Sequence, residues 1–126
     1  AAGRLRWEWP TQGVLKSSFQ GQDPLRKGIK LSGTPGDPVR AAESGKVVYS
    51  GSGLIGYGRL IIVKHNDKYL SAYGHNRKLL ASQGEQVTKG QKIAELGTSN
   101  DGTPLLHFEI RRDGRPVDPL ALLPRR

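Results

Sequence analysis

An all-β domain is predicted: a small antiparallel β-sandwich or barrel-sandwich hybrid, with glycine-rich turns and one short C-terminal helical turn. Three observations carry this reading. The 126 residues include 17 Gly and 8 Pro, a turn-rich composition in a chain long enough to bury one core. Short apolar and β-branched runs recur between glycine turns. No stretch of a dozen residues carries the period of an amphipathic helix. One domain is expected, with residues 1–8 as a basic, aromatic arm or linker, 9–124 as the folded unit and 125–126 as a tail.

Taken in order, Trp9-Pro10 with Gln12-Gly13 marks entry into the folded unit. Strands are expected over Lys46 to Ser50, Leu60 to His65, Tyr69 to Tyr73, Lys92 to Leu96 and Leu105 to Arg111. An internal echo relates Gly36-Asp37-Pro38-Val39 before Gly45-Lys46-Val47 to Gly84-Glu85-Gln86-Val87 before Gly90-Gln91-Lys92-Ile93. Both read as hairpin-plus-strand units. Asp118-Pro119 ahead of Leu120-Ala121-Leu122-Leu123 predicts a terminal helical turn, because Asp accepts from orphan amides and Pro suits the first helical position.

The last strand sorts its side chains by alternation. Leu106, Phe108 and Ile110 form one face, expected in the core, while Leu105, His107, Glu109 and Arg111 form the other, lining a groove floor or meeting solvent.

Twenty Lys and Arg against eleven Asp and Glu give a formal charge of +9. The surplus sits in the first two thirds: residues 1–40 carry 7 basic against 3 acidic groups and residues 41–80 carry 6 against 2, whereas residues 81–126 carry 7 against 6. Such a surplus favours polyanionic partners, among them nucleic acid, anionic lipid, wall polymers and acidic protein faces. Nucleic acid ranks low, since the 8 aromatics show no interleaving with basic residues. With no Cys there is neither a disulfide framework nor a thiol nucleophile. No apolar run reaches membrane-span length and no signal-like segment is present. The absence of Met leads to the expectation of a fragment whose targeting sequence or anchor lies upstream.

Several motifs in order are more specific than any one of them. Trp9-Pro10, Arg26-Lys27-Gly28-Ile29-Lys30, Gly45-Lys46-Val47-Val48, Gly56-Tyr57-Gly58, Tyr73-Gly74-His75, Val87-Thr88-Lys89-Gly90-Gln91 and Leu106-His107-Phe108-Glu109-Ile110 together resemble the LytM (lysostaphin-like) metallopeptidase domain. The resemblance runs from about Trp9 to Pro124. In active members, zinc is held by the His and Asp of His-x-Gly-x-Asp and by the second His of His-x-His. The first His of that pair and the His of Tyr-x-His serve the catalytic water and transition state. The resemblance carries the first ligand onto Arg26, the Asp onto Lys30, the last ligand onto His107, and the two catalytic imidazoles onto His75 and Leu105. It therefore implies a degenerate domain with no cofactor and no catalysis, whose vestigial groove comprises Arg26, Lys30, His75, Leu105, His107 and Glu109. Lys30 is expected to stand in for the missing ion, with Glu109 or His107 as its neighbour.

Degenerate members of this kind resemble the NlpD and EnvC group of cell-division proteins, and Leu70-Ser71-Ala72-Tyr73, His75-Asn76 and Leu106 to Arg111 lie closer to NlpD. The resemblance implies a monomer in the periplasm of a Gram-negative bacterium that activates N-acetylmuramoyl-L-alanine amidases by displacing an inhibitory segment from their zinc site. A membrane is implied only through an outer-membrane anchor in a missing N-terminal region. Three other readings stay open: a peptidoglycan-binding module without a protein partner, a zinc endopeptidase with an unusual ligand set, and a lipoyl or biotinyl carrier, whose usual hairpin context around the Lys is missing.

Each singled-out residue has a plainer reading. Against the motif, which favours vestigial site residues, His107 and His75 have the plainer reading of ordinary hydrogen-bonded side chains, and Arg26 and Lys30 that of solvated loop cations. His65 reads as a turn residue without function. Gly56-Tyr57-Gly58 fits a tight turn better than a ligand contact. Arg111, Arg112 and Arg115 form either a basic rim around an Asp113-Gly114 hairpin or ordinary solubilising charge.

Overall fold

Ten antiparallel strands form one continuous sheet in the computed structural model, which describes residues 4–126. They are β1 (Leu15–Ser17), β2 (Ile29–Ser32), β3 (Pro38–Arg40), β4 (Gly45–Gly51), β5 (Arg59–Lys64), β6 (Tyr69–Leu79), β7 (Gln86–Val87), β8 (Lys92–Thr98), β9 (Pro104–Arg112) and β10 (Arg115–Val117). The order is β1-β2-β9-β8-β6-β5-β4-β7, with β10 on β9, β3 on β8, and β6 also on β9. The sheet thus closes on itself where β6, β8 and β9 pair with one another. The five strands expected from sequence are β4, β5, β6, β8 and β9; of the short strands, β2, β3 and β7 pair with partners far away in the chain, while β1 and β10 pair with the neighbouring β2 and β9.

Alternation builds the core. Ile29 and Leu31 of β2, Tyr73 of β6 and Leu106, Phe108 and Ile110 of β9 are fully buried in one cluster with Ile61, Val63, Ile93 and Leu96. The Tyr73 and Phe108 rings lie 5.3 Å apart in a tilted arrangement, a favourable geometry for aromatic pairs. The buried Tyr73 hydroxyl takes part in a hydrogen-bonded chain. It accepts from the Ala42 amide and donates to Ser71 Oγ, which donates in turn to Nε2 of His65. Nδ1 of His65 donates to Ser44 O, so every member has a partner. His65 sits at the β5–β6 turn, as expected, and its ring also packs there.

β6 is longer than its sequence suggests. Gly74-His75-Asn76 reads as punctuation, yet the strand continues through it by a bulge in which Gly74 and His75 together oppose Leu60 of β5. Before the bulge β6 pairs with β9, from Tyr69↔Arg112 to Gly74↔His107; after it β6 pairs with β8, from Asn76↔Leu96 to Leu79↔Ala94. His75 makes the switch in the left-handed region at φ 65. Asn76 Nδ2 then donates to the carbonyls of Tyr73 and Arg59 that the bulge leaves free.

The internal echo is real but reciprocal. The unit that begins at Gly36 lends β3 to β8, and the unit that begins at Gly84 lends β7 to β4. Gly36 N donates to Leu96 O while Leu96 N donates to Asp37 O, and Gly84 N donates to Val47 O while Val47 N donates to Glu85 O. Each expected hairpin is thus an exchange between distant strands.

Residues 4–8 and the C-terminal tail both dock. Of the arm expected over residues 1–8, residues 1–3 lie outside the described residues, but Leu5 packs on the core and Trp7 is buried in it, edge-on to His65 at 5.0 Å. Arg6 and Glu8 donate their amides to Glu43 Oε2 and Ala42 O. Arg126, in the expected tail, stacks over Trp9 at 4.2 Å and donates to Gly13 O. The buried Trp7 ring ties down the first segment, and the Trp9 ring under Arg126 ties down the second, where polarity alone suggests freedom. The terminal turn is a 3-10 turn, Pro119–Ala121, capped as expected by Asp118 Oδ1 accepting from Leu120 N at 3.0 Å.

Candidate functional site

A cleft of about 580 Å³ opens over the face of β9 opposite the core, and Leu105, His107 and Glu109 line it. All three are buried, so this face forms a floor and not a solvated surface. Lys30, directly opposite His107 in the β2–β9 register, joins them, and His75 enters from the β6 bulge. Loop residues close the sides, with Pro24, Leu25 and Lys27 before β2, Ile55 to Tyr57 between β4 and β5, and Ser99 to Asp101 between β8 and β9.

Small residues make room for this arrangement. A Cβ on Gly28 would sit 2.2 Å from Phe108 O and 2.7 Å from Glu109 Cγ, so only glycine lets the chain approach β9 there. A Cβ on Gly74 would come 3.2 Å from Tyr57 O, and this gap lets the β4–β5 loop fold over the floor. That loop turns on Gly56 and Gly58, both at positive φ, as the tight-turn reading expects. It also delivers the Tyr57 side chain to the site, which sequence reasoning did not anticipate.

Glu109 is the electrostatic centre. Its Oε2 accepts from the Tyr57 hydroxyl and from Nε2 of His107, each at 2.7 Å, and its Oε1 accepts from Arg111 at 2.9 Å. Burial pushes the Glu109 carboxyl up, but the bonds from His107 and Tyr57 and the charges of His107 and Arg111 outweigh it and bring the carboxyl to about 2. Burial and the bond to Glu109 raise the Tyr57 phenol, which therefore remains a donor. Arg111 is lowered by burial but raised more by the Glu109 carboxylate. It is thus a partner of Glu109 on the face that alternation gives it, where the sequence left a groove floor, a basic rim and solubilising charge all open. His75 is lowered by burial first, then by the charges of His107 and Lys30; the His75 and His107 rings lie 6.3 Å apart.

Of the six residues expected to share this site, the structure brings together Lys30, His75, Leu105, His107 and Glu109. Arg26 stands apart. Its guanidinium donates to the carbonyl and hydroxyl of Ser18, and the residue lines a separate shallow depression with Leu15 to Ser18. Lys27, its neighbour, faces the cleft instead. Lys30 lies beside His107 but forms no ion pair with Glu109, and its Nζ donates to Leu25 O at 3.3 Å. The cation that neutralises Glu109 is Arg111.

A glycine-punctuated antiparallel sheet with a cleft floored by the His107 strand and walled by the His75 bulge defines the class: the chain belongs to peptidase family M23, whose family model matches residues 24–119. Within that family it is 57% identical over 120 residues to the lipoprotein NlpD/LppB homolog of Pseudomonas aeruginosa, covering 95% of this chain and 40% of the relative. It is 47% identical over 120 residues to the murein hydrolase activator NlpD of Escherichia coli, covering 95% of this chain and 32% of the relative. The chain therefore spans well under half of these relatives. A zinc containing peptidase from Vibrio cholerae superposes with a TM-score of 0.81 at 30% identity, over 91% of this chain and 39% of that one.

The cleft residues do not fit the zinc that this fold family implies. Catalytic zinc takes about three neutral-nitrogen or anionic-oxygen donors and an open position. Here Glu109 is held by Tyr57, His107 and Arg111, Nε2 of His107 is engaged by Glu109, and the ammonium of Lys30 stands across from His107. Among the described residues, no group of three His, Cys, Asp or Glu side chains is placed to hold a metal ion.

Proposed function

We propose that this chain is a non-catalytic activator of peptidoglycan hydrolases in the Gram-negative envelope, and that its targets are N-acetylmuramoyl-L-alanine amidases of the periplasm. Its cleft binds the amidase and draws an inhibitory segment away from the amidase zinc. The observation that carries the reading is Lys30, an ammonium on the cleft floor opposite His107, at the position onto which the family's aspartate ligand maps. A unit charge about 4 Å from a divalent ion repels it by roughly 8 kcal/mol at an effective dielectric near 20, and a remaining histidine does not offset that. Arg26, at the other vanished ligand position, likewise offers no lone pair at neutral pH. The name of the Escherichia coli relative, a murein hydrolase activator, supports the same role, and the lipoprotein names of other relatives support an envelope location.

The test is dye release from labelled sacculi by an amidase alone, the chain alone, and both together. The chain alone is expected to release nothing, and the mixture to outpace the amidase. Equal rates for amidase with and without the chain would sink the proposal. The cleft cations favour one second reading, a wall-binding module without a protein partner, which predicts co-sedimentation with sacculi and no effect on the amidase.

A further inference from the structure

Two ammonium groups on the cleft lack a counterion. Lys27 and Lys30 both line it, yet among the described residues neither takes part in an ion pair. Lys30 Nζ donates to one neutral carbonyl, Leu25 O, in a long bond of 3.3 Å that leaves its charge uncompensated. The acids nearby are engaged elsewhere. Glu109 is held by Tyr57, His107 and Arg111, and Asp101 accepts from the Ser99 hydroxyl and the Thr103 amide. On the lip beside these cations stand two large apolar side chains, Leu25 at 79% exposure and Ile55 at 99%. A cation without a counterion in a partly enclosed cleft, beside uncovered apolar surface, is complementary to a segment that is acidic and apolar at once.

We infer that the cleft recognises a protein segment that places a carboxylate on Lys30 and a large apolar side chain against Leu25 and Ile55. The inference rests on the activator reading and specifies the chemistry of the segment the cleft receives. The occupant is protein rather than wall: peptidoglycan stem peptides bear carboxylates but mostly small side chains, and would leave Leu25 and Ile55 uncovered. Within such a pairing the ammonium supplies a charge-assisted bond, and the apolar contact supplies area.

NMR titration of the chain with N-acetyl-Leu-Glu-Leu amide and with its Gln isostere tests this directly. The Glu peptide is expected to bind roughly five- to tenfold tighter than the Gln peptide, moving the resonances of Lys30, His75 and Ile55. Lys30→Met should remove that preference and Lys30→Arg should keep it, both with unchanged thermal unfolding. Equal affinity of the two peptides for the parent chain, a preference that survives Lys30→Met, or binding of neither peptide overturns the inference. So does tighter binding of a purified stem tetrapeptide at the same resonances. A chain that stimulates the amidase but shows no Glu preference defeats this inference alone, whereas a Glu preference without stimulation defeats the activator reading.

Discussion

Glu109 accepts from three side chains while only 1% exposed, and a buried carboxylate is tolerated only when so paired. Its folded-state value of about 2 lies below the ordinary 4.5. The stabilisation it contributes is therefore fully present above about 4.5 and is lost as pH falls towards 2. Glu109→Gln should therefore destabilise the chain at neutral pH by about 1–3 kcal/mol and flatten the loss of stability in that acid window, as read by thermal unfolding at a series of pH values. An unchanged acid profile would show that other carboxylates govern it. Much of this site was legible beforehand, because alternation along one strand puts Leu105, His107 and Glu109 on a common face. Arg111 shares that face, and its bond to Glu109 two residues away follows from the same alternation. Tyr57 was not legible, since its role depends on the β4–β5 loop folding across the floor. Arg26 was placed by motif alone, and a local bond to Ser18 turned it elsewhere.

The elements that shape the cleft are β2, β6 and β9, and their spacing depends on glycine where two backbones nearly touch. Gly28→Ala puts a methyl 2.2 Å from Phe108 O, against backbone that has no room to give. It should lower stability by about 3 kcal/mol and perturb Glu109. Gly56→Ala, at φ +91 with nothing within 4 Å, meets only backbone strain and should cost about 1 kcal/mol. Denaturant midpoints compare the two, and a Gly28→Ala loss no greater than that of Gly56→Ala would contradict the close-approach account. The strong strands were legible as β-branched runs between turns. The extension of β6 past Gly74 was not, because a bulge with His75 at positive φ looks locally like a turn. β1, β2, β3, β7 and β10 run two to four residues each, and such short segments become strands only through partners elsewhere in the chain.

Across the whole molecule, a formal charge of +9 acts at longer range than any contact on the cleft. Association with an acidic partner should be steered by this field, so its rate should fall by about tenfold or more between about 0.05 and 0.5 M salt. Stopped-flow mixing with an amidase measures it, and a salt-independent rate would assign the charge to solubility alone. Charge does not decide whether the fold cuts or binds; that rests on the cleft floor. The most direct measurement is mass spectrometry of the bonds broken in purified sacculi incubated with the chain and excess zinc, with and without an amidase. Cross-links are expected to stay intact throughout, with cleavage between N-acetylmuramic acid and L-alanine that requires the amidase and increases when the chain is added. Cross-link peptides cut by the chain and zinc alone would show a working peptidase in place of an activator.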